Sequence, residues 1–235
     1  MVVLSTGRLG PLIWAGFSVF LYLLAAYALV KLRARRPHSP LLHPIVQRVG
    51  ETALYLGLPY LALLRGDILL RWLGLSGMDW IQGFGIGVAL GAGALALACL
   101  AFRWSFRDEQ DDALPAPGPL PHISRLGLLW KALTLQAHWA FYRAVMIQVL
   151  GDAYWGTFAG LALVVLEYVL SAETRLKMRT PAGRRVVARL TLAVLSAILY
   201  FYAGNLPLLV LFHWVFEIML HSALIPWPES HTASS

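Results

Sequence analysis

The chain has 235 residues, of which 59% are hydrophobic and only 13% are charged. A soluble domain carries roughly twice that charged fraction, and the short alternating runs of a membrane β-barrel are missing. The formal net charge of +7 comes from basic residues at the ends of apolar runs, as in cytoplasmic loops, which argues against a nucleic-acid partner. Several apolar runs approach the roughly 20 residues that cross a bilayer. The composition therefore predicts an all-α, polytopic integral membrane helix bundle in the lipid bilayer of the cell (inner) membrane.

The N-terminal part of the chain, residues 1–104, contains three predicted transmembrane helices. They cover about residues 11–30, 49–64 and 80–102. The second is the weakest and contains Pro59. The third has a glycine at every fourth position, at Gly83, Gly87 and Gly91. This spacing builds a smooth helix face for close packing against another span.

A polar segment, residues 105–121, is predicted as an acidic, proline-rich cytoplasmic loop. Some acidic runs bind cations, but a solvated loop is a far more common role for such a run. Residues 122–131 follow and predict an amphipathic helix that lies at the membrane interface. Its apolar side consists of Ile123, Leu126, Leu129 and Trp130.

The C-terminal core, residues 122–225, adds four predicted transmembrane helices, and residues 226–235 are expected to be a loose tail. The four helices cover about residues 132–150, 154–170, 190–203 and 208–224. The whole chain, 1–235, is therefore predicted as a single transmembrane domain. It has about seven transmembrane helices plus the interfacial helix.

The distribution of lysine and arginine predicts an orientation with the N-terminus outside and the C-terminus inside. In that orientation the inner segments are 31–49, 103–131 and 173–189, which hold 5, 4 and 6 lysines and arginines. These segments contain 15 of the 19 in the chain. Cytoplasmic loops carry such an excess of basic residues.

Five ionisable residues lie deep in the predicted spans: His138, Arg143, Glu167, His213 and Glu217. An ionisable group at membrane depth is costly and is a functional-site candidate by default. His213 and Glu217 are four residues apart, so they share one face of a helix. Glu167 has no partner in its own span and would cost several kcal/mol if it stayed charged and unpaired. We therefore expect the fourth, fifth and seventh spans to pack together and to bring all five side chains into one pocket.

Each of these residues also has a simpler explanation. His138 and His213 could each be a core histidine with a single hydrogen bond. Glu167 could reach the interface by extending its side chain, and Arg143 could do the same on the outer side or neutralise Glu217. A divalent metal could be held by His138, Glu167, His213 and Glu217, but the Glu-x-x-His spacing of di-iron bundles is absent. We expect no cofactor.

Three short segments carry the five residues: 138–143 (HWAFYR), 163–167 (LVVLE) and 213–217 (HWVFE). In order and spacing they resemble the motifs of the CPBP intramembrane proteases, which include the type II CAAX prenyl endopeptidases and bacteriocin-processing relatives. That family has a Glu-Glu-x-x-x-Arg segment, then Phe-x-x-x-His, then His-x-x-x-Asn or Asp. The resemblance covers roughly residues 122–222, just under half of the chain.

This chain departs from the family pattern at several positions. His138 and Trp139 stand where the family has two glutamates, Glu167 stands where it has a histidine, and Glu217 stands where it has asparagine. Only Arg143 and His213 match the family outright. An acid and a histidine are both retained, but they have exchanged positions.

The resemblance implies an intramembrane endopeptidase that hydrolyses a peptide bond of a membrane-associated peptide or protein. In that reading His138 and Glu167 form the pair that activates water, with either as general base. His213 donates a hydrogen bond to the oxyanion, and Arg143 holds Glu217 or Glu167 ionised. The alternative is a proteolytically inactive family member that serves as a membrane scaffold, subunit or assembly factor for a partner membrane protein. A third class, ion transport, is weakened because no inverted repeat is visible.

Overall fold

The computed structural model describes residues 6–77, 80–107, 124–178 and 183–224. In these ranges the chain is helical apart from turns and contains no strand, which confirms the all-α prediction. The α-helices are α1 (Thr6–Arg35), α2 (Pro44–Thr52), α3 (Leu58–Leu64), α4 (Trp80–Arg107), α5 (Arg125–Leu150), α6 (Ala153–Leu170), α7 (Ala172–Met178), α8 (Gly183–Ala203) and α9 (Leu206–Leu224). A 3₁₀ turn covers Pro40–Leu42, and a π-helical turn, Ala53–Gly57, joins α2 to α3.

Three of the described helices are long and apolar enough to cross a membrane. The stretches are Leu9–Arg35, Ala153–Leu170 and Arg185–Ala203, in α1, α6 and α8. Two shorter apolar helical stretches, Gly83–Leu97 and Leu206–Met219, lie in α4 and α9. The chain therefore has the helices of a membrane protein.

Helix α5, predicted as the interfacial helix and the fourth span, is one continuous helix and the centre of the bundle. Its N-terminus is capped by Ser124, whose Oγ accepts a hydrogen bond from the Gly127 amide. It ends at Gly151, which adopts φ 70° and donates its amide to Ile147. Helices α1, α6 and α9 pack around it. Because neighbouring helices shield it from lipid, α5 accommodates polar side chains that a lipid-facing helix would not.

Helices α5 and α6 form a tight antiparallel hairpin. Asp152 caps α6 by accepting a hydrogen bond from the Trp155 amide at 2.8 Å. On α6, Gly156 and Gly160 lie directly against the backbone of α5, and a Cβ added at Gly160 would stand 2.6 Å from the Arg143 Cα. This close approach brings the C-terminal half of α6, including Glu167, against the part of α5 that carries His138.

The predicted glycine face of α4 is confirmed. A Cβ at Gly83 would lie 2.9 Å from the carbonyl oxygen of Ala203, and one at Gly91 would lie 3.1 Å from Phe212. The predicted second span is the α2–π–α3 segment. Neither this segment nor α5, which contains the predicted fourth span, is among the three helices suited to cross a membrane. The predicted loop begins later than expected, since α4 continues to Arg107. The rest of that loop and the tail 226–235 lie outside the described residues.

Candidate functional site

The first group of buried polar residues is the pair formed by His138 on α5 and Glu167 on α6. Nε2 of His138 lies 2.9 Å from Oε2 of Glu167. Each residue is only 2% exposed. This contact confirms the predicted pairing. The alternative in which Glu167 extends to the interface is wrong, because its carboxylate is held inside the bundle.

The second oxygen of Glu167 is also occupied. The hydroxyl of Tyr142 donates to Oε1 of Glu167 and lies 3.1 Å from Oγ of Ser18 on α1. Tyr142 follows His138 by one helical turn, and the two rings meet edge to face at 4.6 Å. Hydrogen bonds to both oxygens compensate the carboxylate for the loss of water.

The other side of His138 is covered by an aromatic ring from the π-helical turn. Tyr55 stacks on the imidazole with 4.3 Å between ring centroids. Because a carboxylate only accepts hydrogen bonds, the contact with Glu167 assigns the ring hydrogen to Nε2. The Nδ1 atom has no hydrogen-bond partner among the described residues. His138 therefore presents an unused Nδ1 lone pair, on the opposite side of the ring from the nitrogen bonded to Glu167.

The second group lies on the α8–α9 side of α5. The Nε2 atom of Gln136 lies 2.6 Å from Oγ of Ser196 and 3.2 Å from Nδ1 of His213. Trp139 stacks on the imidazole of His213 at 5.3 Å. All four residues are buried. The imidazole is thus held by an amide at one edge and by an indole across its face.

Glu217 belongs to the same group but is paired with the partly exposed Lys131. Oε1 of Glu217 lies 2.7 Å from Nζ of Lys131 and 3.7 Å from Nε2 of His213. The sequence predicts that Lys131 belongs to the interfacial helix, and its pairing with Glu217 was not predicted. Arg189 on α8 adds a second positive charge near Glu217.

Arg143 stands apart and makes none of the ion pairs predicted for it. Its guanidinium lies over the ring of Tyr200, 4.6 Å from the centroid. Its Nε and Nη2 atoms have no hydrogen-bond partner among the described residues. It faces a small apolar space lined also by Trp139, Leu161, Val164, Ala193 and Ala197, which has no room for a water molecule. The predictions that Arg143 pairs with Glu167 or Glu217, or reaches the outer surface, are wrong.

The five predicted site residues thus form three groups around α5 instead of the single pocket that we expected. Successive residues of a helix turn by about 100°. His138 therefore points away from Gln136 and Arg143 and faces α6. Gln136 and Arg143, seven residues apart, lie on nearly the same face of α5 and contact Ser196 and Tyr200 of α8 at different levels. Within the described part of the chain, no three histidine, cysteine, aspartate or glutamate side chains are grouped as metal ligands. The four-residue metal site considered from the sequence is therefore not formed.

Two residues lie between the two acid–histidine pairs. Tyr168, the neighbour of Glu167 on α6, interacts electrostatically with both Glu167 and Glu217. Its hydroxyl is hydrogen-bonded to Arg189. The two pairs are therefore linked through Tyr168 and Arg189, and no direct hydrogen bond between the pairs is found among the described residues.

Sequence reasoning missed the uncharged partners of these groups: Ser18, Tyr55, Gln136, Tyr142 and Ser196. A search limited to ionisable residues passes over hydroxyl and amide side chains. Gln136 is as unusual at membrane depth as a histidine, and Tyr142 stands one turn after His138. Those two signals were present in the sequence. Nothing in the sequence distinguishes Ser18 or Ser196 from other serines in apolar helices.

Comparison with protein-family models, with curated proteins and with solved structures finds no match for this chain.

Proposed function

We propose that the chain is a membrane-embedded hydrolase related to the CPBP intramembrane proteases, in which His138 and Glu167 activate a water molecule. The observation that carries the proposal is the unpartnered Nδ1 of His138, opposite a ring nitrogen bonded to a buried carboxylate. This is the arrangement of a general base oriented by an acid. The substrate would be a peptide bond in a membrane-associated peptide or protein.

In the proposed reaction Nδ1 of His138 takes a proton from water while the water oxygen attacks the scissile carbonyl carbon. Glu167 stabilises the imidazolium that forms. The C–N bond of the tetrahedral intermediate then breaks, and the proton on Nδ1 passes to the leaving amine. The products are one carboxylate and one amine, so no oxidant or cofactor is consumed.

His213 is the proposed donor to the oxyanion. Its ring stacks on Trp139, the chain neighbour of His138, but lies on the α8–α9 side of α5, so the substrate carbonyl would have to extend between the two imidazoles. Its Nε2 has no hydrogen-bond partner among the described residues. A free N–H of this kind could stabilise a developing negative charge.

The proposed setting is a multi-pass protein of the inner membrane with about seven spans, N-terminus outside and C-terminus inside. The excess of basic residues in the segments predicted as inner supports this orientation. Single cysteines placed at His38 and Ser76, in a Cys99→Ala background, test it with a membrane-impermeant maleimide on intact cells. We expect labelling at position 76 only, and labelling at position 38 instead would reverse the orientation.

Hydrolysis is tested by comparing membranes from cells that express the wild type, His138→Ala or Glu167→Gln in water enriched in ¹⁸O. We expect new peptide C-termini carrying one ¹⁸O atom with the wild type and a loss of at least about 10²-fold in both variants. Glu173→Gln, the same substitution at the surface of α7, is the matched control and should retain activity. Equal yields from all four proteins would refute the proposal.

A second candidate function, an inactive scaffold or assembly factor, rests on the packing of the same residues. Tyr55 covers the imidazole of His138, and Tyr142 and Ser18 close the other side of Glu167. A purely structural polar core would look the same. Recovery of a stoichiometric membrane-protein partner, retained by His138→Ala and with no ¹⁸O-labelled product, would favour this function over hydrolysis.

A further inference from the structure

In the second group of buried polar residues, on the α8–α9 side of α5, the contacts of Gln136 indicate which atoms donate and which accept hydrogen bonds. An amide NH₂ group has two hydrogens. In Gln136 its nitrogen, Nε2, contacts both Oγ of Ser196 at 2.6 Å and Nδ1 of His213 at 3.2 Å. If Gln136 uses one hydrogen for each contact, Nδ1 of His213 must accept, and the ring hydrogen must be on Nε2.

The plane of the His213 ring is fixed by stacking, and its orientation in that plane is set by Gln136. Trp139 stacks parallel to it, with 18° between the ring planes, and His213 is 0% exposed. A half-turn of the imidazole would keep it parallel to the indole but would replace Nδ1 by a ring carbon at the Gln136 amide and lose that contact. The tautomer and the orientation are therefore set together.

The Nε2 side of His213 faces Glu217 without a hydrogen bond to it. The distance of 3.7 Å from Nε2 to Oε1 is too long for a hydrogen bond. The same carboxylate oxygen is 2.7 Å from Nζ of Lys131, whose side chain is 31% exposed. Lys131, with Arg189 nearby, engages the carboxylate and so holds it away from the imidazole.

We infer that Gln136 and Lys131 are positioning residues that keep the Nε2–H group of His213 available as a hydrogen-bond donor for a carbonyl ligand inside the bundle. Gln136 does so by occupying Nδ1, and Lys131 does so by engaging the acid that would otherwise accept from Nε2. The identity of the ligand, a peptide carbonyl, rests on the proposed function. The tautomer and the free donor do not.

The direct test is ¹⁵N nuclear magnetic resonance of the full-length protein in lipid nanodiscs, with ¹⁵N-labelled histidine and with His213→Gln used to assign the signals. We expect His213 to be neutral, with the hydrogen on Nε2 and with Nδ1 as an acceptor. A hydrogen on Nδ1 would mean that the Gln136 amide is turned around, and the inference would be wrong. This measurement leaves Gln136 and Lys131 unchanged.

Two variants then test the positioning roles. Gln136→Leu should give a mixture of tautomers, and Lys131→Met should shift the Nε2–H proton signal downfield as Glu217 moves to accept from it. Gln148→Leu on the same helix and Lys177→Met on the surface are the matched controls, and both should leave the His213 signals unchanged. An unchanged spectrum in folded Gln136→Leu or Lys131→Met would overturn the role assigned to that residue.

Activity separates this inference from the proposed function. If the wild type hydrolyses peptides, Lys131→Met should lower kcat by about 10²-fold with little change in KM, as for the loss of an oxyanion donor. If the predicted tautomer is found but no hydrolysis occurs, the proposed function fails and the positioning roles stand. If hydrolysis occurs with the opposite tautomer, only the positioning roles fail.

Discussion

Glu167 and His138 meet where α6 crosses α5, with 2.9 Å between Oε2 and Nε2, and neither side chain reaches the surface of the bundle. The pair links two helices that Gly156 and Gly160 already hold in close contact. An acid and an imidazole placed in this way depend on one another, because either one alone would be a buried polar group without compensation.

Removing one member of this pair should destabilise the protein strongly. We expect Glu167→Gln or His138→Ala to lower the free energy of unfolding by about 3–5 kcal/mol, since the remaining group loses its partner. The double variant His138→Ala/Glu167→Gln should lose less than the two single changes together. Unfolding in mixed micelles, analysed as a double-mutant cycle, measures this coupling. Simple additivity would show that the pair is not coupled.

Gly160 should be intolerant of even one added carbon. A Cβ at this position would stand 2.6 Å from the backbone of Arg143, which cannot move without separating the two helices. Gly160→Ala should therefore lower the free energy of unfolding by about 1–3 kcal/mol. Gly85→Ala on α4 is the control, because nothing lies within 4 Å of its added Cβ. That variant should be neutral or stabilised by up to about 1 kcal/mol, and equal losses from the two changes would contradict the close crossing.

Arg143 should be replaceable by an apolar residue. Its guanidinium has an aromatic partner in Tyr200 but no acid in the described part of the chain, and its surroundings are otherwise apolar. Arg143→Met keeps most of the volume and removes the buried charge, so we expect the free energy of unfolding to rise by roughly 1–3 kcal/mol. Urea or dodecyl sulfate titrations compare the two proteins. A loss of stability would reveal that a counter-charge accompanies Arg143.

The ion pairs of Glu173 should make stability depend on pH. Partial burial raises the pKa of Glu173, but hydrogen bonds from Lys177 and Arg33 outweigh burial and leave the pKa below its ordinary value. The unfolded pKa is about 4.3. The stabilisation is therefore complete above about pH 5.5 and is lost as the pH falls through the folded pKa.

This dependence is measured as the difference in unfolding free energy between the wild type and Glu173→Gln from pH 7 to pH 3. The difference should be about 0.5 kcal/mol, because the partners are exposed to solvent. It should be constant down to about pH 5.5 and then shrink. A difference that grows with falling pH would contradict the assignment. Arg33→Gln should remove part of the effect, since it deletes the contact that joins α1 to α7.

Features that depend only on residues close together in the sequence were predicted correctly. The helical class follows from runs of apolar residues, the glycine face of α4 follows from a four-residue spacing, and His213 and Glu217 share a face because one helical turn separates them. The cost of an unpaired acid at that depth predicted that Glu167 has a partner inside the bundle, and the resemblance of the motifs predicted that this partner is His138. Such inferences rest on local geometry and on the cost of burying charge.

The distribution of the polar groups around α5 was decided by tertiary structure alone. Burial cost requires that each charge finds compensation, but it does not say from which helix, and a hydroxyl, an amide or an aromatic ring can serve as well as an opposite charge. Lys131 therefore reaches Glu217, Tyr142 and Ser18 complete the environment of Glu167, and Arg143 rests on Tyr200. The amino-acid sequence determined that these side chains had to be satisfied within a helical bundle. The packing angles and the depth of each helix determined which partners lay within reach.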